Sequence, residues 1–145
     1  MFKHLLLPTD GSPLSEAAVL KGIDLAATLG AKVTGIHVSP RFHPMTYRTE
    51  MLEDTRDEYE KDSRVHSERY LGFISRSAAE KGVACDTVRV IHDDAYRAII
   101  DTANERGCDL IAMASHGRRG LAGVLLGSET QRVLIHTTIP VLIVR

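Results

Sequence analysis

Five short apolar runs recur along the chain, and the stretches between them carry helical rather than hairpin signals. Phe2 to Leu7 is apolar and ended by Pro8, as in a strand buried on both faces. Ser12 is a good N-cap with Pro13 at the first helical position, which predicts a helix from Pro13 to about Leu29, closed by Gly30. Lys32 to Val38 forms the next strand, and Ser39 to Thr49, with Pro40 and Pro44, reads as a loop. A long polar helix is expected from Glu50 to about Lys81, stopped by Gly82. Only its second half, through Tyr70, Leu71, Ile74 and Ala78, has an apolar stripe. Asp86 to Ile91 is a strand, His92-Asp93-Asp94 a turn, and Ala95 to Glu105 a helix closed by Gly107. Asp109 to Ala114 and Ile139 to Val144 are the last two strands, with a helix from Ser128 to His136 between them. Such alternation builds an α/β domain with right-handed crossovers. The expectation is a Rossmann-like open, mostly parallel five-stranded sheet with helices on both faces, formed as one domain over residues 1–145.

Ligands of such sheets bind beyond the carboxyl ends of the strands, at the point where the strand order reverses. Pro8-Thr9-Asp10, Val38-Ser39 and Ala114-Ser115-His116 all lie at those ends and should converge on one crevice. The segment from Met113 to Ser128 is the most suggestive. An apolar run stops in a loop containing Gly117, Gly120, Gly123 and Gly127, and Ser128 follows just before an amphipathic segment. Small residues, hydroxyls and free backbone N–H groups suit a phosphate, and the next helix would offer its N-terminus to the same anion. The chain has no GxxxxGK[ST] motif. Its loop reads GxxGxxG rather than GxGxxG and lies late in the sequence, so neither a P-loop nor a dinucleotide fingerprint is present.

Composition narrows the partners. With 18 basic and 19 acidic residues, no general affinity for nucleic acid or membrane follows. Trp is absent and aromatics are few, which argues against base-stacking platforms. Cys85 and Cys108 are far apart and form no CxxC, as expected for two thiols in a reducing compartment. The apolar run at the N-terminus is too short for a signal peptide or membrane span, so a soluble, cytoplasmic protein is expected. The remaining histidines, among them His37, His66, His92 and His136, show no metal-ligand spacing.

These residues resemble the universal stress proteins of the UspA type over nearly the whole chain. The likeness starts with an apolar strand followed by Pro8-Thr9-Asp10-Gly11-Ser12 and ends with Ile139-Pro140-Val141-Leu142-Ile143-Val144. Between them lies the family's nucleotide loop, Gly-x2-Gly-x9-Gly-Ser/Thr, with Gly117, Gly127 and Ser128 in place and Ala114 where the first glycine stands. The pattern is associated with ATP-binding members, so the resemblance implies ATP, with Mg²⁺, in the crevice. It implies that Asp10 contacts the adenosine end, with Pro8 and Thr9 shaping the same wall, and that Val38 meets the adenine. Met113, Ala114, Ser115, His116 and Gly117 would line the ribose and phosphates. Gly127, Ser128, Glu129 and Thr130 would lie at the phosphates, which Gly127, Ser128 and Thr130 would hold through backbone N–H and hydroxyl groups. It further implies a stress-response role and a homodimer paired through Ile139 to Val144.

Singly, these residues permit plainer roles. Asp10 before Gly11 suits a turn or cap, Ser128 an N-cap, and Glu129 a carboxylate complementing the helix dipole. Arg118 and Arg119 suit either a γ-phosphate or a solvated loop. His116 is read as pocket wall, and no catalytic or metal-ligating residue is assigned. Two alternatives stand beside ATP binding. One is a UspA-like interaction protein without nucleotide, which Ala114 favours. The other is a slow ATP hydrolase, for which Asp10 could help hold a cation but no second group is evident.

Overall fold

A computed structural model describes residues 1–43, 52–117 and 126–145. In chain order the elements are β1 (His4–Pro8), α1 (Pro13–Leu29), β2 (Lys32–Ser39), α2 (Leu52–Glu80), β3 (Cys85–Ile91), α3 (Ala95–Glu105), β4 (Leu110–Ala114), α4 (Ser128–His136) and β5 (Val141–Val144). The strands form one sheet in the order β3-β2-β1-β4-β5, parallel throughout.

The middle strand explains the first apolar run. Leu5, Leu6 and Leu7 are all fully buried, because β1 has a neighbour on either edge and helices on either face. Strand alternation then sorts the core. Leu5, Leu7, Val33, Leu110 and Ala112 pack with α1 and α2, whereas Leu6, Ile36, Ile111 and Met113 pack with α3 and α4. Helices therefore cover both faces, as the sequence predicts. Burying each Leu of β1 stabilises the fold by about 1.5–3 kcal/mol.

Local chemistry sets the helix ends. The Ser12 hydroxyl accepts the Ser15 N–H at 3.2 Å, Pro13 occupies the first turn, and Gly30 closes α1 with a left-handed φ of 66°. These signals are local, so the expected boundaries of α1 are the observed ones. The second half of α2 buries Ser67, Leu71, Ile74 and Ala78 at helical spacing, while Tyr70 is half-buried. The expected start of this helix at Glu50 lies outside the described residues, as does most of the Ser39–Thr49 loop. β5 begins two residues later than expected: Pro140 has no N–H to give a ladder, and only its carbonyl is used, accepting the Ile111 N–H at 3.0 Å.

The amino ends of the strands are tied together away from the crevice. The Asp109 carboxylate accepts the N–H groups of Lys3 and His4 at 2.9–3.1 Å. Burial works to raise this carboxyl, but those N–H groups outweigh it and hold it below its ordinary range. Among the described residues, no helix is long and apolar enough to cross a membrane.

Candidate functional site

The chain runs outward from β1 through β2 to β3, then returns to place β4 on β1's other edge. Crossovers leave in opposite directions there, and their loops part to open a crevice beyond the carboxyl ends of the strands. Its volume is about 540 Å³, within the usual range for a small-molecule site.

Four of the segments that line the crevice carry sequence-predicted residues. From β1 come Pro8, Thr9 and Asp10; from β2, Val38; from β4 and its loop, Met113, Ala114, His116 and Gly117; and from α4, Gly127, Ser128, Glu129 and Thr130. The structure therefore brings together every sequence-predicted site residue except Ser115. That serine is 2 % exposed and supports the loop from behind. Its N–H bonds to the Val144 carbonyl at 2.9 Å, its carbonyl accepts the Gly127 N–H at 2.7 Å, and its hydroxyl meets His116 Nδ1 at 2.9 Å. Arg118 and Arg119 lie outside the described residues.

The β1 wall is held by a short hydrogen-bond chain. Thr9 Oγ1 accepts the Gly11 N–H at 3.1 Å and lies 3.1 Å from Ser15 Oγ, whose own proton goes to the Ser12 carbonyl at 2.9 Å. Asp10 Oδ1 accepts the Ser12 N–H at 2.9 Å, so Asp10 is a turn residue as well as a wall residue. Its Oδ2 faces Gly117, where an added Cβ would come within 2.5 Å of it.

The α4 wall departs from expectation in two details. Gly127, with extended angles of −68° and 159°, takes the cap position, and Ser128 is the first helical residue. Ser128 is therefore not the N-cap, and its hydroxyl stands in the first turn. Thr130 is 3 % exposed, and its hydroxyl donates to the Ala114 carbonyl at 3.0 Å. That proton ties α4 to β4 and is not available to a phosphate, so the α4 end offers mainly backbone N–H groups. The first N–H groups of an α-helix have no intrahelical partner and sit at the positive end of its dipole.

Glu129 is engaged elsewhere as well. One carboxylate oxygen accepts the Tyr96 N–H in the first turn of α3 at 2.9 Å, and the other takes Arg132 at 3.2 Å. Asp94, at the cap position of α3, makes no side-chain cap bond, so Glu129 supplies that cap from a different helix. Glu129→Ala is expected to lower stability by about 1 kcal/mol, the usual value of a cap. A thermal melt should fall by roughly 2–4 °C, and an unchanged melt would show that water caps α3 equally well.

The substitution at the first loop glycine is accommodated by the fold. Alternation along β4 sends the Ala114 methyl to the α1 face, against Ala18, Val144 and Leu14. Among the described residues, no non-glycine has a positive φ, so Ala114 adopts an ordinary backbone conformation.

Six lining residues escaped the sequence reading: Ser15, Ile36, Pro40, Asp93, Ala95 and Ile99. Asp93 had a usable signal, since it follows β3 at the same carboxyl edge. Its Oδ1 accepts the Arg41 N–H at 3.0 Å and lies 3.1 Å from His43 Nε2. The Arg41 N–H, more than any other contact, holds this carboxyl below its ordinary range. Pro40 is fixed from the other side, where its carbonyl accepts the Tyr59 hydroxyl at 2.9 Å.

With this geometry in place, comparison with known proteins is direct. The universal stress protein family matches residues 1–145. Universal stress protein YxiE of Bacillus subtilis is 32% identical, with all of both chains covered. Universal stress protein MJ0531 of Methanocaldococcus jannaschii is 30% identical over all of this chain and 83% of its own length. Among solved structures, MJ0577 of the same organism superposes with a TM-score of 0.84 at 26% identity, covering 99% of this chain and 96% of its own. A universal stress protein in complex with cAMP superposes with a TM-score of 0.73 at 25% identity, covering 99% of this chain and 97% of its own.

Proposed function

The chain belongs to the universal stress protein family, and from that premise we propose that it binds ATP with Mg²⁺ in the crevice and acts as a dimeric stress-response module in the cytoplasm. The observation that carries this reading is the convergence of Gly117, Gly127 and the N-terminus of α4 on one crevice that also has an apolar wall of Val38, Ile99 and Met113. Such a site suits an anionic chain at one end and a flat ring at the other. The relative solved with cAMP supports an adenine nucleotide as the ligand class. Backbone N–H groups of Ser128, Glu129 and Thr130 would face the phosphates, and the Asp10 carboxylate is the nearest acidic group to Gly117 through which a phosphate-bound cation could be held. Bound Mg²⁺ would screen the phosphate charge from that carboxylate.

Binding is a better description of this site than turnover. The three carboxylates lining the crevice, Asp10, Asp93 and Glu129, each accept a backbone N–H, from Ser12, Arg41 and Tyr96. These bonds anchor the carboxylates in the walls, where they can contact a bound nucleotide or its cation. The alternative of an interaction protein without nucleotide rested on Ala114, whose methyl packs against Ala18 and Val144. Equilibrium dialysis against ATP–Mg²⁺ is expected to show saturable binding of one nucleotide per chain. No binding at millimolar ATP would leave the crevice without its proposed ligand.

The dimer is proposed through the segment from Ile139 to Val144, whose strand β5 is, among the described residues, an edge of the sheet. Val141 and Ile143 are poor probes of that pairing because both pack against the α3 and α4 core cluster. Leu142 is 39% exposed, and its replacement leaves that cluster intact. Light scattering of the wild type should give twice the 16.0 kDa chain mass, and Leu142→Lys should shift it towards one chain. An unchanged mass for the variant would place the contact elsewhere.

A further inference from the structure

The crevice lining also carries a carboxylate, that of Asp93, which nucleotide binding in general does not require. Asp93 lies in the turn after β3, and two contacts join that turn to the end of β2: the His92 N–H bonds to the Ser39 carbonyl at 2.9 Å, and the Arg41 N–H bonds to Asp93 at 3.0 Å. Asp93 thus borders Val38 and Pro40, at the apolar part of the crevice. Among the described residues, its two hydrogen bonds, from Arg41 and His43, both fall on Oδ1. They engage Oδ1 and leave Oδ2 as the second, charged acceptor of a carboxylate that lines the crevice.

We infer that Asp93 determines which base the crevice accepts, by receiving a hydrogen bond from an exocyclic amino group such as that of adenine. This rests on the nucleotide reading above. With the phosphates at Gly117, Gly127 and the N-terminus of α4, the ring falls against Val38, Ile99 and Met113, and its polar edge meets Asp93. An anionic acceptor there rewards an N–H donor and repels a carbonyl oxygen. Adenine carries an amino group at carbon 6, whereas hypoxanthine carries an oxygen there. The Asp93 side chain is 42% exposed, so solvent weakens both the attraction and the repulsion. Discrimination of about tenfold is therefore expected, at the lower end for a hydrogen bond to a charged group.

The test is calorimetric titration of the full chain with ATP–Mg²⁺, ITP–Mg²⁺ and N6,N6-dimethyl-ATP–Mg²⁺, for the wild type and for Asp93→Asn. Asparagine keeps an oxygen for Arg41 and adds a group that can donate to a carbonyl. The wild type should favour ATP over both analogues by about tenfold, and Asp93→Asn should bring ATP and ITP to within about threefold of each other. The dimethyl analogue removes the donors without altering the protein, so it gives an answer even if the variant folds poorly. Equal affinity of the wild type for all three ligands, or the same ATP preference in Asp93→Asn, would overturn the inference while leaving the nucleotide site standing. Failure of the wild type to bind any of the three would overturn the nucleotide reading, and this inference with it.

Discussion

Gly117→Val is expected to abolish nucleotide binding in a protein that still folds. A Cβ at this position would lie 2.5 Å from Asp10 Oδ2 and 3.6 Å from its Cγ, closer to the oxygen than real Cβ contacts come. The valine must therefore displace Asp10 or shift the loop, and either movement fills or distorts the crevice where the phosphates are proposed to sit. Gly117 does not have a positive φ, so the substitution adds no left-handed backbone strain. Its cost to stability should include the Asp10–Ser12 turn bond, about 1 kcal/mol. Affinity for ATP should fall by at least about a hundredfold, corresponding to roughly 2.7 kcal/mol of lost binding energy. Adding Ser128→Ala removes the hydroxyl in the first turn of α4 and should take binding below detection. Retained affinity in the double variant would mean that nucleotide binds elsewhere on the molecule.

Gly11→Ala is expected to produce the largest loss of stability of any single methyl added near the site. Gly11 has a φ of +79°, which an alanine adopts only with strain of about 1–2 kcal/mol. The added Cβ would also lie 2.2–2.6 Å from three carbons of the Tyr70 ring. That ring is in edge contact with His37, their centroids 5.0 Å apart, so it cannot move without disturbing its neighbour. Together the strain and the overlap should cost about 3 kcal/mol or more, comparable to truncating a buried leucine. Urea denaturation of wild type, Gly11→Ala, Tyr70→Ala and the double variant would separate the two causes. The coupling should be favourable by at least about 1 kcal/mol if the ring causes much of the loss. Additive effects would assign the whole cost to the backbone, and a loss below about 1 kcal/mol for Gly11→Ala would contradict both terms. Gly11 and Gly117 thus separate folding from binding, although both act on the neighbourhood of Asp10.

Much of this architecture is legible in the sequence because its determinants are local. Ser12, Pro13 and Gly30 mark the ends of α1 within a few residues of the groups they satisfy. The buried run in β1 and the helical spacing of Leu71, Ile74 and Ala78 follow from period alone. The crevice was legible too, because the carboxyl ends of parallel strands must meet where the strand order reverses. What escaped the sequence is the partner each polar side chain takes. Glu129 caps α3 by bonding to Tyr96, 33 residues away, and Thr130 bonds to the carbonyl of Ala114, 16 residues away. Neither pairing has a local signature. Ser115 is buried, and its backbone bonds to Val144 and Gly127 hold it there, a matter of three-dimensional register. Asp93 read as one acid of a turn until the position of Arg41 gave its carboxylate a direction.

The alanine in place of the first loop glycine illustrates the same division. From sequence, Ala114 could narrow the crevice or demand angles closed to it. In the folded chain its φ is not positive and its methyl packs with Ala18, Val144 and Leu14, so the crevice wall takes the alanine up as a packing change. The residues whose backbones approach the crevice, Gly117 and Gly127, remain glycine. At Gly127 an added Cβ would come within 3.3 Å of the His116 Cα, so Gly127 and the Ser115–Gly117 segment are packed backbone against backbone.

Whether this crevice holds ATP with Mg²⁺ is decided by thermal unfolding of the wild type and Gly117→Val across an ATP–Mg²⁺ titration. Ligand that binds only the folded state adds about 2.7 kcal/mol at a hundred times its Kd, which should raise the wild-type melting temperature by roughly 5–10 °C. The same titration should leave Gly117→Val unmoved. A wild-type melting temperature that stays constant to millimolar ATP, or one that rises equally in Gly117→Val, would contradict the claim.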